Sequence, residues 1–326
     1  MAKAKMKKIV VIGGGTGSFV LLSGLKQYPV ELTAIVPVTD DGGSTGRLRD
    51  EFGFLPVGDM RQCLAALAAD NGRLRRLLLY RFDKGKGLVG HNLGNLILTA
   101  LEDLVGSAPE AVGEAASIFR LRGRVYPVSK KLVKLVAGYS SGKTIVSEYK
   151  IEKYHLKQGE SITQLYTRPT TTLNELAAAA IKAADMIILA PGDLYNSIIA
   201  NLVIGGMKPA IKNSRAKLVY IVNLMTLNSQ THNFTASTHV KEIEKYAGRK
   251  VDYIVVNSQP IKPEIVRAYK REQEYPVADD LNKDSRVIRQ PLLSNSVFQK
   301  PKSDNLKRSL LRHDSGKLAK AIIKLI

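Results

Sequence analysis

The chain has 326 residues, of which 44% are hydrophobic and 24% are charged, an ordinary composition for a globular protein with a large core. Its one cysteine, Cys63, excludes a disulfide framework and indicates a reducing compartment, so we expect a cytoplasmic protein. The formal charge of +20 favours either a polyanionic ligand or a solvated basic surface, while 6% aromatic residues and no tryptophan argue against nucleic acid as a partner. A signal peptide and a membrane span are not expected, because Ile9–Ile12 is short and Ser197–Met207 is interrupted by Asn201 and Gly205.

Strands and glycine turns alternate from the start of the chain. Lys8 to Ile12 predicts a strand, Gly13 to Ser18 a turn, and Phe19 to Gln27 a helix with apolar residues at helical spacing. A second strand, Glu31 to Val38, leads into a turn at Gly42 to Gly46. The later predicted strands are Met186 to Ala190, Lys217 to Leu224 and Val251 to Asn257, and the later predicted helices are Gly58 to Ala69, His91 to Leu104, Leu173 to Ala184, the segment from Leu194, Ser237 to Ala247, Pro263 to Lys270 and Asp314 to Ile326.

Alternating strands and helices predict an α/β fold with a Rossmann-like, doubly wound and mostly parallel sheet, in a single domain over residues 1–326. The alternating pattern of Thr144 to Ile151 predicts antiparallel strands instead, so residues 125–170 are expected to form a small antiparallel β insertion. Residues 279–326 are expected to be a loop-rich segment, most polar and basic over Asp279 to Lys307, followed by the C-terminal helix.

Two glycine turns follow the first two strands. Gly13-Gly14-Gly15-Thr16-Gly17 precedes a helix, where backbone N–H groups and the helix N-terminus favour a phosphate, although Ser18 stands where the dinucleotide pattern has glycine. Asp40-Asp41-Gly42-Gly43-Ser44 follows the second strand, at the edge of the sheet where ligands bind. Asp40 could accept from a ribose hydroxyl, Asp41 could bind Mg²⁺, and Arg47 could contact phosphate.

Three further helix starts carry polar residues. Asp59 is either a plain N-cap or, with Arg61, part of the cleft. His91, Asn92 and Asn95 cluster at one helix entry. The turn Pro191-Gly192-Asp193 follows the strongest predicted strand and offers a second helix N-terminus for phosphate.

Some patterns are dismissed. Gly138 to Thr144 resembles a P-loop, but Ala137 replaces its first glycine and a strand follows, so a hairpin turn is predicted. His232 and His239 could be a general base or loop residues, and we favour loop residues. The histidines and the cysteine have no zinc-ligand spacing.

Several motifs together match one family. They are Gly13 to Gly17, Asp40 to Arg49, Pro56 to Arg61, His91 to Asn95, Pro191 to Ser197, Asn223 to Thr226 and Arg312-His313-Asp314. Over nearly its whole length the chain resembles the gluconeogenesis factor family (YvcK-like), which is related to the 2-phospho-L-lactate transferases (CofD).

The resemblance implies a CofD-like fold. It also implies one of two functions: a regulator that binds UDP-N-acetylglucosamine and ties carbon metabolism to cell-wall synthesis and cell shape, or a Mg²⁺-dependent transferase with a nucleoside-diphospho-lactate donor. Arg312 becomes a ligand candidate through the resemblance. Two departures bear on the ligand: Asp193 stands where the family usually has serine, and Gln230 stands where it usually has glutamate.

We favour the regulator, since no nucleophile–base pair is evident, and we expect a homodimer. A polyanion-binding scaffold ranks third. Asp41 and Asp59 are the candidate metal ligands, with Mg²⁺ as the only cofactor considered. The predicted ligand-binding residues are Gly13, Gly14, Gly15, Thr16, Gly17, Asp40, Asp41, Gly42, Gly43, Ser44, Arg47, Asp59, Arg61, His91, Asn92, Asn95, Pro191, Gly192, Asp193, Leu194, Ser197, Asn223, Met225, Thr226 and Arg312.

Overall fold

A seven-stranded parallel sheet forms the centre of the protein in a computed structural model that describes residues 6–69, 72–295 and 309–326. Part of the predicted loop at Asp279 to Lys307 and the basic residues before Met6 lie outside the described residues. The strands of the sheet, in spatial order, are β10 (Val287–Gln290), β9 (Tyr253–Asn257), β8 (Lys217–Ile221), β7 (Met186–Leu189), β1 (Lys7–Ile12), β2 (Val30–Val36) and β3 (Arg124–Pro127).

The strand order reverses between β1 and β7. From β1 the chain builds outward through β2 and β3, and from β7 it builds the other way through β8, β9 and β10. Ile12 pairs with Leu189, so the two central strands end at the same level. A reversal of this kind opens a crevice at the carboxyl ends of the strands, because the connections on its two sides leave in opposite directions.

Helices cover the sheet in two layers, as the alternation predicted. In one layer α1 packs against α3 and α13, and in the other α10 packs against α8 and α11. The helices are α1 (Gly15–Leu25), α2 (Gly43–Phe52), α3 (Gly58–Leu67), α4 (Arg73–Leu79), α5 (Leu93–Val105), α6 (Ala108–Ile118), α7 (Glu148–Lys153), α8 (Glu175–Ala183), a π-helix (Leu194–Ile199), α9 (Ala200–Leu202), α10 (Met207–Lys212), α11 (Ala236–Ala247), α12 (Pro263–Lys270) and α13 (Ser315–Ile323).

A second, three-stranded sheet is antiparallel and contains β4 (Lys134–Tyr139), β5 (Thr144–Val146) and β6 (Ile162–Arg168). The predicted α/β class with a small antiparallel insertion is therefore confirmed. The alternating run from Thr144 is a strand only to Val146, however. Ser147 then caps α7 by accepting from the N–H of Lys150, and its φ of 114° ends the strand.

Two other local predictions were wrong. The strand Arg124–Pro127 joins the parallel sheet beside β2, so the antiparallel part begins only at β4. The turn predicted at Gly42 to Gly46 is the first part of α2, which ends where Gly53 adopts a φ of 71°. Within the described residues, no helix has both the length and the apolar character needed to cross a bilayer.

Candidate functional site

One cavity of about 320 Å³ lies at the carboxyl ends of the central strands. Glycines from three separate turns, Gly15, Gly42 and Gly192, all border it. The predicted residues that border the cavity are Gly14, Gly15, Thr16, Gly17, Asp40, Gly42, Ser44, Asp59, Arg61, Asn95, Pro191, Gly192, Asp193, Ser197, Asn223, Met225, Thr226 and Arg312. The strand reversal therefore brings residues that are far apart in the sequence around one space.

The turns after β1 and β7 are in direct backbone contact. A Cβ atom at Gly17 would overlap the carbonyl oxygen of Pro191. Glycine is thus required at the start of α1 for close approach to the neighbouring turn. This contact forms one wall of the cavity from two helix N-termini.

Some backbone donors that were predicted to hold phosphate are already engaged. The N–H of Gly13 donates to the carbonyl of Ile35 at 3.1 Å, and the N–H of Gly15 donates to Asp59 Oδ1 at 2.6 Å. The first-turn N–H groups of a helix have no partner within the helix. Thr16 and Gly17 therefore remain as donors at the start of α1, with no hydrogen-bond acceptor among the described residues.

Asn223 holds the second turn. Its Nδ2 donates to the carbonyl of Gly192 at 2.6 Å, and its Oδ1 accepts from the N–H of Gly192 at 3.4 Å. Gln230 Oε1 accepts from the N–H of Tyr195 at 3.2 Å, at the start of the π-helix. Gln230 is buried and does not border the cavity, so its side chain can affect a ligand only through the position of this turn.

Three carboxylates meet at one end of the cavity. Asp40 follows β2, Asp59 lies in the first turn of α3, and Glu148 begins α7 and accepts a hydrogen bond from Thr39. Burial raises the pKa of Asp59 to about 7, and the neighbouring Asp40 adds to the shift. Burial and then repulsion from Asp40 and Asp59 raise the pKa of Glu148. Removing charge from this cluster, or adding a cation, would relieve the repulsion.

Asp59 does not cap its helix. Val57 is the N-cap of α3, and the Asp59 carboxylate reaches across to Gly15 instead. A Cβ atom at Gly14 would overlap this carboxylate. Asp59 thus supports the first glycine turn and borders the cavity together with Arg61.

A buried polar network continues from this end. Arg61 Nε donates to Asn95 Oδ1 at 2.7 Å, and Asn95 Nδ2 donates to Ser44 Oγ at 3.3 Å and to Thr45 Oγ1 at 3.4 Å. Ser44 Oγ also lies 3.2 Å from Nδ1 of His91. The network connects α2, α3 and α5 and fixes the hydroxyls that face the cavity.

The remaining predicted residues do not border the cavity. Asp41 Oδ1 accepts from the N–H of Tyr149, and exposed Arg47 donates to the carbonyl of Val89. Asn92 is the N-cap of α5, and its Oδ1 accepts from Gly94 and Asn95. His91 lies behind Ser44.

The other three predicted residues outside the cavity have structural roles. Gly13 bonds the end of β2, Gly43 begins α2 with a φ of 53°, and Leu194 is buried in the core. His232 and His239 also lie away from the cavity, but His239 lies in α11 and is not a loop residue as predicted.

Sequence reasoning missed two parts of the wall. One is α7 on the small sheet, with Glu148, Tyr149 and Glu152. The other is the residues near α12 and before α13, where the missed residues are Tyr269, Glu274, Ser309, Leu311 and His313. No local pattern marks either part, although the position of His313 beside Arg312 was a usable signal.

The predicted metal pair does not fit. Asp41 does not border the cavity and accepts a hydrogen bond from the N–H of Tyr149. Asp40 and Asp59 both border the cavity, where their charges repel each other. Within residues 6–69, 72–295 and 309–326, no group of three or more His, Cys, Asp and Glu side chains is placed to hold a metal. Mg²⁺ commonly binds one or two carboxylates together with phosphate oxygens, and Asp40 and Asp59 would fit that arrangement.

Comparisons with known proteins give the family of the chain and agree with its fold. Residues 9–294 match the family described as 2-phospho-L-lactate transferase CofD. The gluconeogenesis factor of Bacillus subtilis is 38% identical over 326 residues, which cover 98% of each chain. A relative from Thermotoga maritima is 40% identical over 320 residues, 98% of this chain and 99% of its own. The crystal structure of a UPF0052 family member from Bacillus halodurans superimposes with a TM-score of 0.89 at 36% identity, covering 98% of this chain and 100% of that one.

Proposed function

The chain belongs to the CofD family, and from that membership we propose that it is a regulatory protein whose ligand is a nucleotide sugar, UDP-N-acetylglucosamine or a near relative. In this role it would connect carbon metabolism to cell-wall synthesis and cell shape. The gluconeogenesis factor of Bacillus subtilis, a full-length relative, supports a regulatory role over a purely catalytic one.

One observation carries the proposal. The turns after β1 and β7 are in backbone contact at the wall of one cavity, and Thr16 and Gly17 keep N–H donors there. Two helix N-termini that face the same space favour a diphosphate, because each adds partial positive charge and the first also offers the N–H groups of Thr16 and Gly17. Arg312 also borders the cavity and supplies a full charge.

The acidic end of the cavity suits the rest of such a ligand. Ribose and hexose hydroxyls are donors, and the carboxylates of Asp40, Glu148 and Glu152 can accept from them. Asp193 lies beside the phosphate-facing turn, where its charge opposes a diphosphate. We therefore expect Asp193 to accept from a sugar hydroxyl or to meet a cation that accompanies the ligand.

Calorimetry with UDP-N-acetylglucosamine tests the proposal. We expect saturable binding, and at a free ligand concentration 100 times Kd a stabilisation of about 2.7 kcal/mol in thermal unfolding. Arg312→Gln should weaken binding about tenfold or more, as expected for the loss of a charge-assisted hydrogen bond. Arg47→Gln is the matched control, because Arg47 is exposed and does not border the cavity. No heat and no stabilisation with any UDP-sugar would refute the proposal.

A second candidate, a Mg²⁺-dependent transferase acting on a nucleoside-diphospho-lactate donor, is favoured by the carboxylate cluster. Mg²⁺ held by Asp40, Asp59 and ligand phosphates would neutralise charge on a leaving phosphate. Release of a nucleoside monophosphate in the presence of Mg²⁺, lost in Asp59→Asn but kept in Asp41→Asn, would establish this function. If Mg²⁺ and acceptor alcohols never yield the monophosphate, the transferase is excluded and the binding protein remains.

A further inference from the structure

A second cavity, of about 760 Å³, lies beside the first and is bordered by α1, α4 and the start of α13. Val20, Arg312 and His313 border both cavities, so they form a shared wall. Apart from Asp314, the rest of the lining of the second cavity lies outside the motifs that led to the first cavity. Its lining contains hydroxyls, guanidinium groups and two aromatic rings, which is a composition suited to a small polar ligand.

The charged groups of this lining are mainly positive. Arg75 lies over the ring of Phe19, 4.7 Å from its centroid, and donates to Ser23 Oγ at 3.4 Å. These contacts position the Arg75 guanidinium beside the cavity, while Arg312 contributes from the shared wall. The one carboxylate, Asp314, is occupied as the N-cap of α13, since its Oδ1 accepts from the N–H of Lys317 at 2.9 Å.

The start of α13 adds backbone donors. The N–H of Leu318 bonds the Asp314 carbonyl and that of Lys317 bonds its side chain. Ser315 and Gly316 border the cavity, and their N–H groups have no acceptor among the residues that the structure describes. Such donors at the positive end of a helix favour an anion.

His313 gives an independent indication of a missing ligand. Its side chain is only 7% exposed, and Nε2 has no hydrogen-bond partner within the described ranges. Burial lowers the pKa of His313 to about 4, so the ring is neutral at physiological pH and offers one hydrogen bond without a charge. A buried polar atom without a partner costs about 1–3 kcal/mol, so a hydrogen bond from a ligand at the wall that His313 shares between the two cavities would be favourable.

We propose that this second cavity binds a small phosphate monoester, held by the Arg75 and Arg312 guanidinium groups and by the N–H groups of Ser315 and Gly316. The anion would lie on the opposite side of the Arg312–His313 wall from the nucleotide sugar. This proposal stands apart from the identity of the first ligand, because Arg75 and Ser315 border only the second cavity.

Titration calorimetry of the full chain with inorganic phosphate tests the proposal. We expect Arg75→Gln to weaken phosphate binding about tenfold, the size of one charge-assisted hydrogen bond. Arg76→Gln is the control, because Arg76 lies next to it on α4 but is exposed and borders neither cavity. Thermal melts verify that each variant folds.

A second pair of variants removes a single backbone donor. Proline is favoured at the first position of a helix, and Asp314 already has the extended conformation that precedes proline, with a ψ of 129°. Ser315→Pro should therefore fold and weaken phosphate binding about tenfold, whereas Ser315→Ala, which keeps the N–H, should weaken it less. Absence of phosphate uptake at millimolar concentrations, or uptake that neither Arg75→Gln nor Ser315→Pro weakens, would overturn the proposal.

Discussion

The two sheets contribute to the first cavity in different ways. The parallel sheet contributes turns, after β1, β2 and β7, whose main-chain donors and close contacts depend on glycine. The antiparallel sheet contributes α7, whose side chains Glu148, Tyr149 and Glu152 close the cavity from another direction. Backbone donors suit a part of the ligand that is the same in every nucleotide, while side chains can differ with the sugar. For the proposed nucleotide sugar, the parallel sheet would hold the diphosphate and the small sheet would contact the rest.

The charge of the first cavity differs from that of the whole chain. The whole chain carries a formal charge of +20, yet the first cavity is acidic. Its carboxylates are Asp40, Asp59, Glu148, Glu152, Asp193 and Glu274, and its guanidinium groups are Arg61, Arg81 and Arg312. The positive charge therefore lies mostly elsewhere, and net charge is a poor guide to the chemistry of this site.

The largest effect is expected where the parallel sheet brings two turns together. Gly17→Ala places a Cβ atom in the carbonyl oxygen of Pro191, so we expect the free energy of unfolding to fall by about 3 kcal/mol and UDP-sugar binding to be lost with it. Urea denaturation measures the change. Gly113→Ala in α6 is the control, because no atom lies within 4 Å of the added Cβ and alanine should stabilise that helix by up to about 1 kcal/mol. Equal stability of Gly17→Ala and wild type would show that the turns do not need their contact.

Asp59, which lies beside Asp40 and Glu148, should give a smaller, pH-dependent effect. The pKa of Asp59 rises from 3.8 to about 7 on folding, so the folded state binds the proton more tightly than the unfolded state. The stability that this proton provides is complete at low pH and is lost as pH rises through about 7. We expect the fall in unfolding free energy between about pH 4 and about pH 8 to be about 2 kcal/mol smaller in Asp59→Asn than in wild type, after allowance for water in the cavity.

Denaturation at both pH values measures this difference. Asparagine keeps an oxygen for the N–H of Gly15, so the change isolates the charge. Asp103→Asn, an exposed position on α5, serves as the control and should retain the wild-type slope. If the unfolding free energy of Asp59→Asn changes with pH as much as that of wild type, then folding does not raise the pKa of Asp59.

The smallest effect is expected at Glu148, which lies on α7 beside the small sheet. Glu148→Gln removes one of the three repelling carboxylates and keeps an acceptor for Thr39. Because the pKa of Glu148 is raised, the repulsion costs stability only at high pH. We expect Glu148→Gln to gain about 1 kcal/mol at about pH 8 and little at about pH 4, while exposed Glu110→Gln gains at neither. A loss of stability at high pH would instead mean that a cation or a donor pairs with Glu148.

The sequence by itself determined the architecture and the glycine turns that border the first cavity. Strand patterning with period two, helical spacing and glycine punctuation are local properties, and they correctly placed the central strands and the turn at Pro191 to Gly192, whereas Gly15 to Gly17, predicted as part of a turn, begin α1. Because parallel strands all end at one edge of their sheet, these local signals were enough to predict that the turns meet.

Only the tertiary structure decided which side chains face the cavity. Asp41 and Arg47 follow β2 as closely as Asp40 and Ser44 do, but the start of α2 directs the first pair away from the cavity and the second pair into it. Glu148 reaches the cavity because Ser147 ends a strand that the alternating pattern would have continued. His313 and Arg75 border the second cavity through the packing of α13 and α4 beside α1. Side-chain direction and long-range packing depend on contacts between distant segments, so no short window of sequence contains them.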